Sequence, residues 1–378
     1  MVEALVNSRV LIDGRFVTEQ SILLDKGCIS AIVAERDCPS DAIRVDLRGQ
    51  TLVSGFIDVQ VNGGGDRLFN DDPSVETIAA IGEAHRRFGT TGFLPTLISD
   101  DEAKIDAAMN EARRAIAVGI PGVLGIHIEG PFLNPERKGI HDAAKLRRIS
   151  EREIELLTRP TGGATVVTVA PETMPVEIIR RLTDAGVIVC AGHTQANGDE
   201  IAAALRVGLR GFTHLFNAMS PLTSREPGTV GAALLDEASW CGIIVDGHHV
   251  DPRVLTLALR AAPLRRFIIV SDAMPSVGGR KSFTLNGEEI AATGGKCVNA
   301  AGTLAGSDLD MASAVRNAVA MLGLDLADAV AMASTNPAAF LRLDGRLGRI
   351  APGYRANLVL LDDDLAVTET WIDGVRSA

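Results

Sequence analysis

The 378-residue chain carries 37 basic and 48 acidic residues, a formal charge of −11, with 46% hydrophobic and 22% charged residues. That balance belongs to a folded globular protein and excludes a disordered one. The negative field, with no block of consecutive cations, excludes nucleic acid and anionic membrane surfaces as partners, so an anionic substrate would need cations placed locally.

In chain order, the first fifteen residues hold Glu3 and Asp13 and no long apolar run, which is not the pattern of a signal peptide. Residues 6–13, 21–25 and 29–33 are short β-rich runs, with turns at Asp13-Gly14 and Lys26-Gly27. From residue 53 apolar runs alternate with amphipathic helical stretches, as repeated βα units require. The expected strands are 53–61, 92–97, 123–129, 165–170, 187–191, 211–215, 241–245 and 267–271. Between them, 101–118 sets Ile105, Ala108, Met109, Ala112 and Ile116 on one helix face. Residues 281–301 read as an inserted β-hairpin with turns at Asn286-Gly287 and Gly294-Gly295, and the last thirty residues return to short strands at 357–361 and 367–372. The expectation is an α/β protein: a (β/α)8 TIM barrel over 54–343, with a small β-sandwich domain formed by both termini, 1–53 plus 344–378. Periodicity alone leaves a doubly wound open sheet as the alternative. No apolar run reaches the roughly 18 residues a membrane span needs. Five cysteines without a Cys-x-x-Cys pair argue against a disulfide framework, and the expected location is the cytoplasm.

A barrel places its chemistry at the C-terminal ends of its strands. Those ends carry Gln60 and Asn62, His127 and Glu129, His193, His214, His248 and His249, and Asp272. Of seven histidines, six fall at or beyond expected strand ends and only His85 falls in a helix. Glu129, His193 and His214 are the ligand types of a catalytic zinc site with a position open for water. Asp272 stands where it could take the water's proton and return it to a leaving amine. His127 shares a strand face with Glu129, which suits a supporting role. Amide side chains are weak ligands, so Gln60 and Asn62 suggest support around one metal ion and not a second metal position. Zinc is the expected ion, with iron, cobalt or manganese as alternatives.

Longer motifs then carry a family likeness. Residues Gly125 to Pro135 (GIHIEGPFLNP), Lys138-Gly139-Ile140-His141, Thr213 to Met219 (THLFNAM), Arg225-Glu226-Pro227-Gly228 and Asp246 to Val250 (DGHHV) resemble the signature of N-acetylglucosamine-6-phosphate deacetylases of the amidohydrolase superfamily. Gly192-His193-Thr194, Ser271-Asp272-Ala273 and Thr303 to Ser307 follow in the same order, so the resemblance covers nearly the whole chain. It implies hydrolysis of the acetamide of N-acetylglucosamine 6-phosphate by a metal-activated water. The implied metal ligands are Glu129, His193 and His214, and Asp272 is the implied general base and acid. His141 would polarise the acetyl carbonyl, with Arg225 at the phosphate. Ile140, Asn217, Ala218, His249, Leu304, Ala305 and Gly306 would contact the substrate. A homodimer is implied as well, with the phosphate site near the subunit interface.

Three other readings stay open on the residues. The galacto-configured sugar phosphate differs by one hydroxyl, which no residue type here decides. Other amidohydrolases, such as cyclic-amide hydrolases and deaminases, tend to use His-x-His where this chain has Gln60-Val61-Asn62, and a non-catalytic barrel scaffold leaves the filled metal and acid–base positions without a purpose.

Overall fold

The computed structural model describes residues 2–377. Eight parallel strands stand side by side in chain order: Phe56–Val61, Thr90–Ile98, Gly125–Glu129, Ala164–Val169, Ile188–Ala191, Gly211–Phe212, Trp240–Ile243 and Phe267–Ile269. Every residue of the first two is buried, as strands covered on both faces require. Helices pack outside. Glu102–Ala117 starts after Asp101 and turns Ile105, Ala108, Met109, Ala112 and Ala115 inward, with Ile116 half-buried at the margin.

The eighth strand meets the first beyond its own end. Val61 bridges Ala273, the Asp272 amide donates to the Gln60 carbonyl at 3.0 Å, and the Asn62 amide donates to the Ala273 carbonyl at 2.9 Å. This seam closes the barrel and removes the open-sheet alternative. It also lies at the C-terminal rim, so closing the ring sets Gln60, Asn62 and Asp272 together.

The remaining strands form sheets of their own. Both termini contribute: Cys28–Ala34, Gln20–Asp25, Glu3–Val6 and Ile43–Asp46 make a four-stranded sheet, while a six-stranded one runs from Val375–Ser377 through Val367–Ile372, Leu358–Leu361, Thr51–Ser54 and Arg9–Ile12 to Arg15–Val17. Leu5, Ile22 and Ile29 of the first pack against Val10, Leu52, Leu358 and Trp371 of the second. Two expected strands prove to be pairs. Residues 6–13 divide at Asn7, which takes a left-handed backbone. Residues 53–61 divide at Gly55, where the chain passes from the terminal sheet into the barrel and a Cβ would collide with the Thr91 side chain. The insertion is also larger than a hairpin. It is a four-stranded meander, Ser282–Leu285, Glu288–Thr293, Lys296–Val298 and Leu304–Ser307. Its last strand, short and glycine-containing, carried no strand signal in the sequence, yet it rejoins the rim where the Ser307 amide donates to the Asp272 carbonyl at 2.9 Å. Among the described residues no helix is long and apolar enough to cross a membrane.

Candidate active site

Three strand ends converge on one point. Glu129 closes the third strand, His193 follows the fifth and His214 the sixth, and all three are buried. Glu129 Oε1 lies 3.2 Å from His193 Nε2 and 3.0 Å from His214 Nε2, and the two nitrogens are 3.1 Å apart. His193 Nδ1 sits 2.8 Å from the Arg137 carbonyl oxygen, which can only accept, so the ring proton is on Nδ1. Its Nε2 lone pair therefore points at the Glu129 carboxylate. Two acceptors aimed at one point repel unless a cation lies between them, and a ring held through its other nitrogen is the usual support of a metal-bound imidazole. One carboxylate oxygen and two imidazole nitrogens within 3.2 Å of one another are the atom types that would hold a divalent ion such as zinc. The donor set thus fits a divalent cation.

Burial opposes charge on Glu129, yet the two imidazoles outweigh it and hold the carboxyl well below its ordinary range. Burial likewise acts to lower His214, but the adjacent Glu129 carboxylate raises it.

These three residues form one wall of a cavity of about 330 Å3. Asn62, Ile140, His141, Asn217 and Ala218 line it, with His249, Asp272, Leu304 and Gly306. Asp272 Oδ1 accepts from Asn62 Nδ2 at 2.7 Å and from Gln60 Nε2 at 3.1 Å. Burial, aided by the Glu129 charge, pushes the Asp272 carboxyl up to about 6. His141 Nδ1 accepts from the Ser99 amide at 3.3 Å and lies 2.7 Å from Ser99 Oγ, so its proton sits on Nε2. Burial pushes its pKa down to about 3, which makes the ring a neutral donor at the cavity wall. His249 is held by Nδ1 against Asp246 Oδ2 at 2.6 Å. His193, His214, Ala218 and Asp272 all have left-handed backbone, with φ of 49°, 34°, 51° and 53°. Non-glycine residues held in that region concentrate at functional sites.

Four sequence expectations need correction or refinement. The Ala305 side chain turns away from the cavity. Strand alternation turns it into the apolar cluster with Met274, Ile290 and Cys297, while Leu304 and Gly306 flank it on the cavity side. Arg225 lies on an exposed loop and is absent from the cavity wall. His127 stands mid-strand beneath the cavity, where Nε2 pairs with Thr168 Oγ1 at 2.8 Å and Thr168 in turn meets Thr213 Oγ1 at 2.6 Å. His248 points away, toward the Gly294 carbonyl at 2.9 Å. Ser99, Asp246, Thr168 and Thr213 went unread as partners because a lone polar residue beside an apolar run gives no signal of what it will meet.

The amidohydrolase family model matches residues 51–376. The chain belongs to the amidohydrolase family. Within that family it is 43% identical, over 97% of its length and 94% of the relative's, to an N-acetylgalactosamine-6-phosphate deacetylase of Shewanella sp. (strain ANA-3). The crystal structure of N-acetylglucosamine-6-phosphate deacetylase from Pasteurella multocida superposes with a TM-score of 0.97 at 34% identity, covering 100% of both chains. A mutant of the Mycobacterium smegmatis N-acetyl-D-glucosamine-6-phosphate deacetylase, in complex with N-acetyl-D-glucosamine-6-phosphate, gives 0.91 at 32% identity over 99% of each.

Proposed function

We propose that this amidohydrolase hydrolyses the acetamide of N-acetylglucosamine 6-phosphate, releasing acetate and glucosamine 6-phosphate. The observation that carries this reading is the union, in one cavity, of a carboxylate–imidazole cluster suited to a cation with an aspartate of raised pKa. One divalent cation per subunit, zinc foremost, supplies a Lewis acid that polarises the acetyl carbonyl and acidifies water.

The chain's own residues do the rest. Glu129, His193 and His214 hold the cation. Asp272 takes a proton from the attacking water and hands it to the departing amine. His141, neutral and protonated on Nε2, donates to the acetyl oxygen as negative charge develops there, a contribution of the kind that commonly supplies several kcal/mol. Asn217, Ala218, His249, Leu304 and Gly306 form the sugar pocket, with Ile140 beside the acetyl group. Arg225, exposed and outside its own cavity, would reach the 6-phosphate of a second copy, which supports a homodimer with the phosphate near the interface. Five free cysteines and the phosphorylated substrate fit the cytoplasm.

A second reading is specific. The 43% identical relative is named for the galacto-configured substrate, so N-acetylgalactosamine 6-phosphate is the competing sugar. The test measures acetate release from both 6-phosphorylated sugars and from their unphosphorylated forms. The gluco reading predicts the highest kcat/KM on N-acetylglucosamine 6-phosphate, and a higher value on the galacto sugar would reverse the assignment. Equal rates with and without phosphate would remove the role given to Arg225.

A further inference from the structure

Asp272 is held unevenly. Oδ1 receives two amide donors, Asn62 Nδ2 at 2.7 Å and Gln60 Nε2 at 3.1 Å. Oδ2 has no protein donor among the described residues, and the side chain lines the cavity. An amide nitrogen has no basic lone pair and can only donate, so it bonds Oδ1 only while Oδ1 carries no proton. A proton on Oδ1 would break two buried hydrogen bonds, whereas a proton on Oδ2 breaks none.

Gln60 does a second thing. The same Nε2 donates to Glu129 Oε2 at 3.1 Å, which orients that carboxylate with Oε1 toward the imidazoles. The seam locks the backbone beneath these side chains, with Asp272 amide to Gln60 carbonyl at 3.0 Å and Asn62 amide to Ala273 carbonyl at 2.9 Å. Both amide side chains are 1% exposed, so neither competes with water for its partner.

We propose that Gln60 and Asn62 are positioning residues for proton transfer, occupying Oδ1 of Asp272 so that the proton is taken and returned through Oδ2 alone. The inference rests on the deacetylase reading and deepens it. In the first half-reaction a water O–H bond breaks, its proton goes to Oδ2, and the oxygen bonds the acetyl carbon. In the second the C–N bond breaks with its electron pair on nitrogen, and the Oδ2 proton passes to that nitrogen. Water's other proton leaves on acetic acid, which ionises. An aspartate free to rotate would present either oxygen and spend part of its time with the proton misdirected.

The test separates positioning from structure by the leaving group. An alcohol departs with far less help from a proton than an amine does, so the 2-O-acetyl ester analogue of the substrate depends less on the acid step. Asn62→Leu removes the donor while keeping the side chain's size, and Asn62→Ala carries the same prediction should the first not fold. The expected result is a kcat on the amide lower by roughly 10- to 100-fold, within the range of general acid–base effects. KM should stay within about 2-fold and metal content near one equivalent, with the amide-to-ester rate ratio falling about 10-fold. Asn62→Ser, which restores a hydroxyl donor, should recover part of that ratio. Parallel losses on amide and ester, or a change in KM or metal content with kcat intact, would overturn the proposal. A wild-type protein that releases no acetate from the amide sinks the deacetylase reading itself, a different result from an Asn62 variant with an unchanged ratio.

Discussion

On one side of the cavity, Glu129, His193 and His214 bring a carboxylate oxygen and two imidazole nitrogens within 3.2 Å of one another. On the other side, Asp272 rests on the amides of Gln60 and Asn62, all donors. The first group gathers three atoms that one cation could bridge, whereas the second takes its hydrogen bonds, all on Oδ1, from the protein's own amides. Gln60 touches both through Glu129 Oε2 and Asp272 Oδ1. The contrast teaches where each half gets its order: the Glu129, His193 and His214 cluster has the shape of a cation site, and Asp272 is set by the barrel seam.

The largest break in that comparison comes from the cluster. His214→Ala removes a donor atom, and metal content should fall from about one equivalent to near zero with acetate release at background. A chelator should do the same to the wild type, reversibly, with a lower thermal midpoint because ligand binding to the folded state is lost. Metal analysis and a melting curve check both. Full activity in a chelated, metal-free protein would end the reading of the cluster as a cation site.

Next in size is the seam. Asp272→Asn should keep its metal and its fold yet lose roughly 10²- to 10⁴-fold in kcat, because only the proton carrier is gone. The pH profile sharpens the point. Asp272 must be ionised to take a proton, so kcat/KM should rise with pH through its pKa. Burial and the Glu129 charge push that value up to about 6, and a bound cation pulls the other way. The acid limb therefore belongs at or below about 6, and it should vanish from the residual activity of Asp272→Asn.

The two halves were not equally legible in the sequence. Alternating apolar runs and helical faces announced eight βα units, and strand ends are where barrel chemistry gathers, so Glu129, His193, His214 and Asp272 stood out together. Family likeness added His141 and His249, which lie in loops where spacing alone says little. The partners that set their tautomers, Ser99 and Asp246, are single polar residues whose meaning is purely spatial. Gln60 and Asn62 were noticed chiefly for failing to be histidines. Their role as donors depends on which side chain the closing strand brings opposite, and no periodicity encodes that. A motif names consecutive residues while a strand sends every second side chain to the other face, so the side chain of Ala305 packs on the strand face opposite to that of Leu304 and Gly306. The break at Gly55 was missed because one apolar run served two sheets.

The smallest expected effect concerns stability and falls on the seam. Asp58 is fully buried in the first barrel strand. Its Oδ1 accepts from the amides of Gln60 and Ser271, each at 3.2 Å, and its Oδ2 from the Ser271 hydroxyl. Burial nevertheless pushes its carboxyl from 3.8 up to about 7. Between those two values the folded state holds a proton that the unfolded state has released, so this group's contribution to stability falls as pH rises through the window. Asp58→Asn stays neutral throughout. Its Oδ1 can keep both backbone donors while Nδ2 faces the Ser271 hydroxyl, which can turn to accept. At pH 8 the variant should therefore melt higher than the wild type, by about 1–2 °C for each kcal/mol recovered in a chain of this size. The gap should shrink toward zero only as the pH falls below 3.8, where the wild-type carboxyl is protonated in both states. Equal midpoints at pH 8 would mean that the seam donors solvate the Asp58 carboxylate as well as water does.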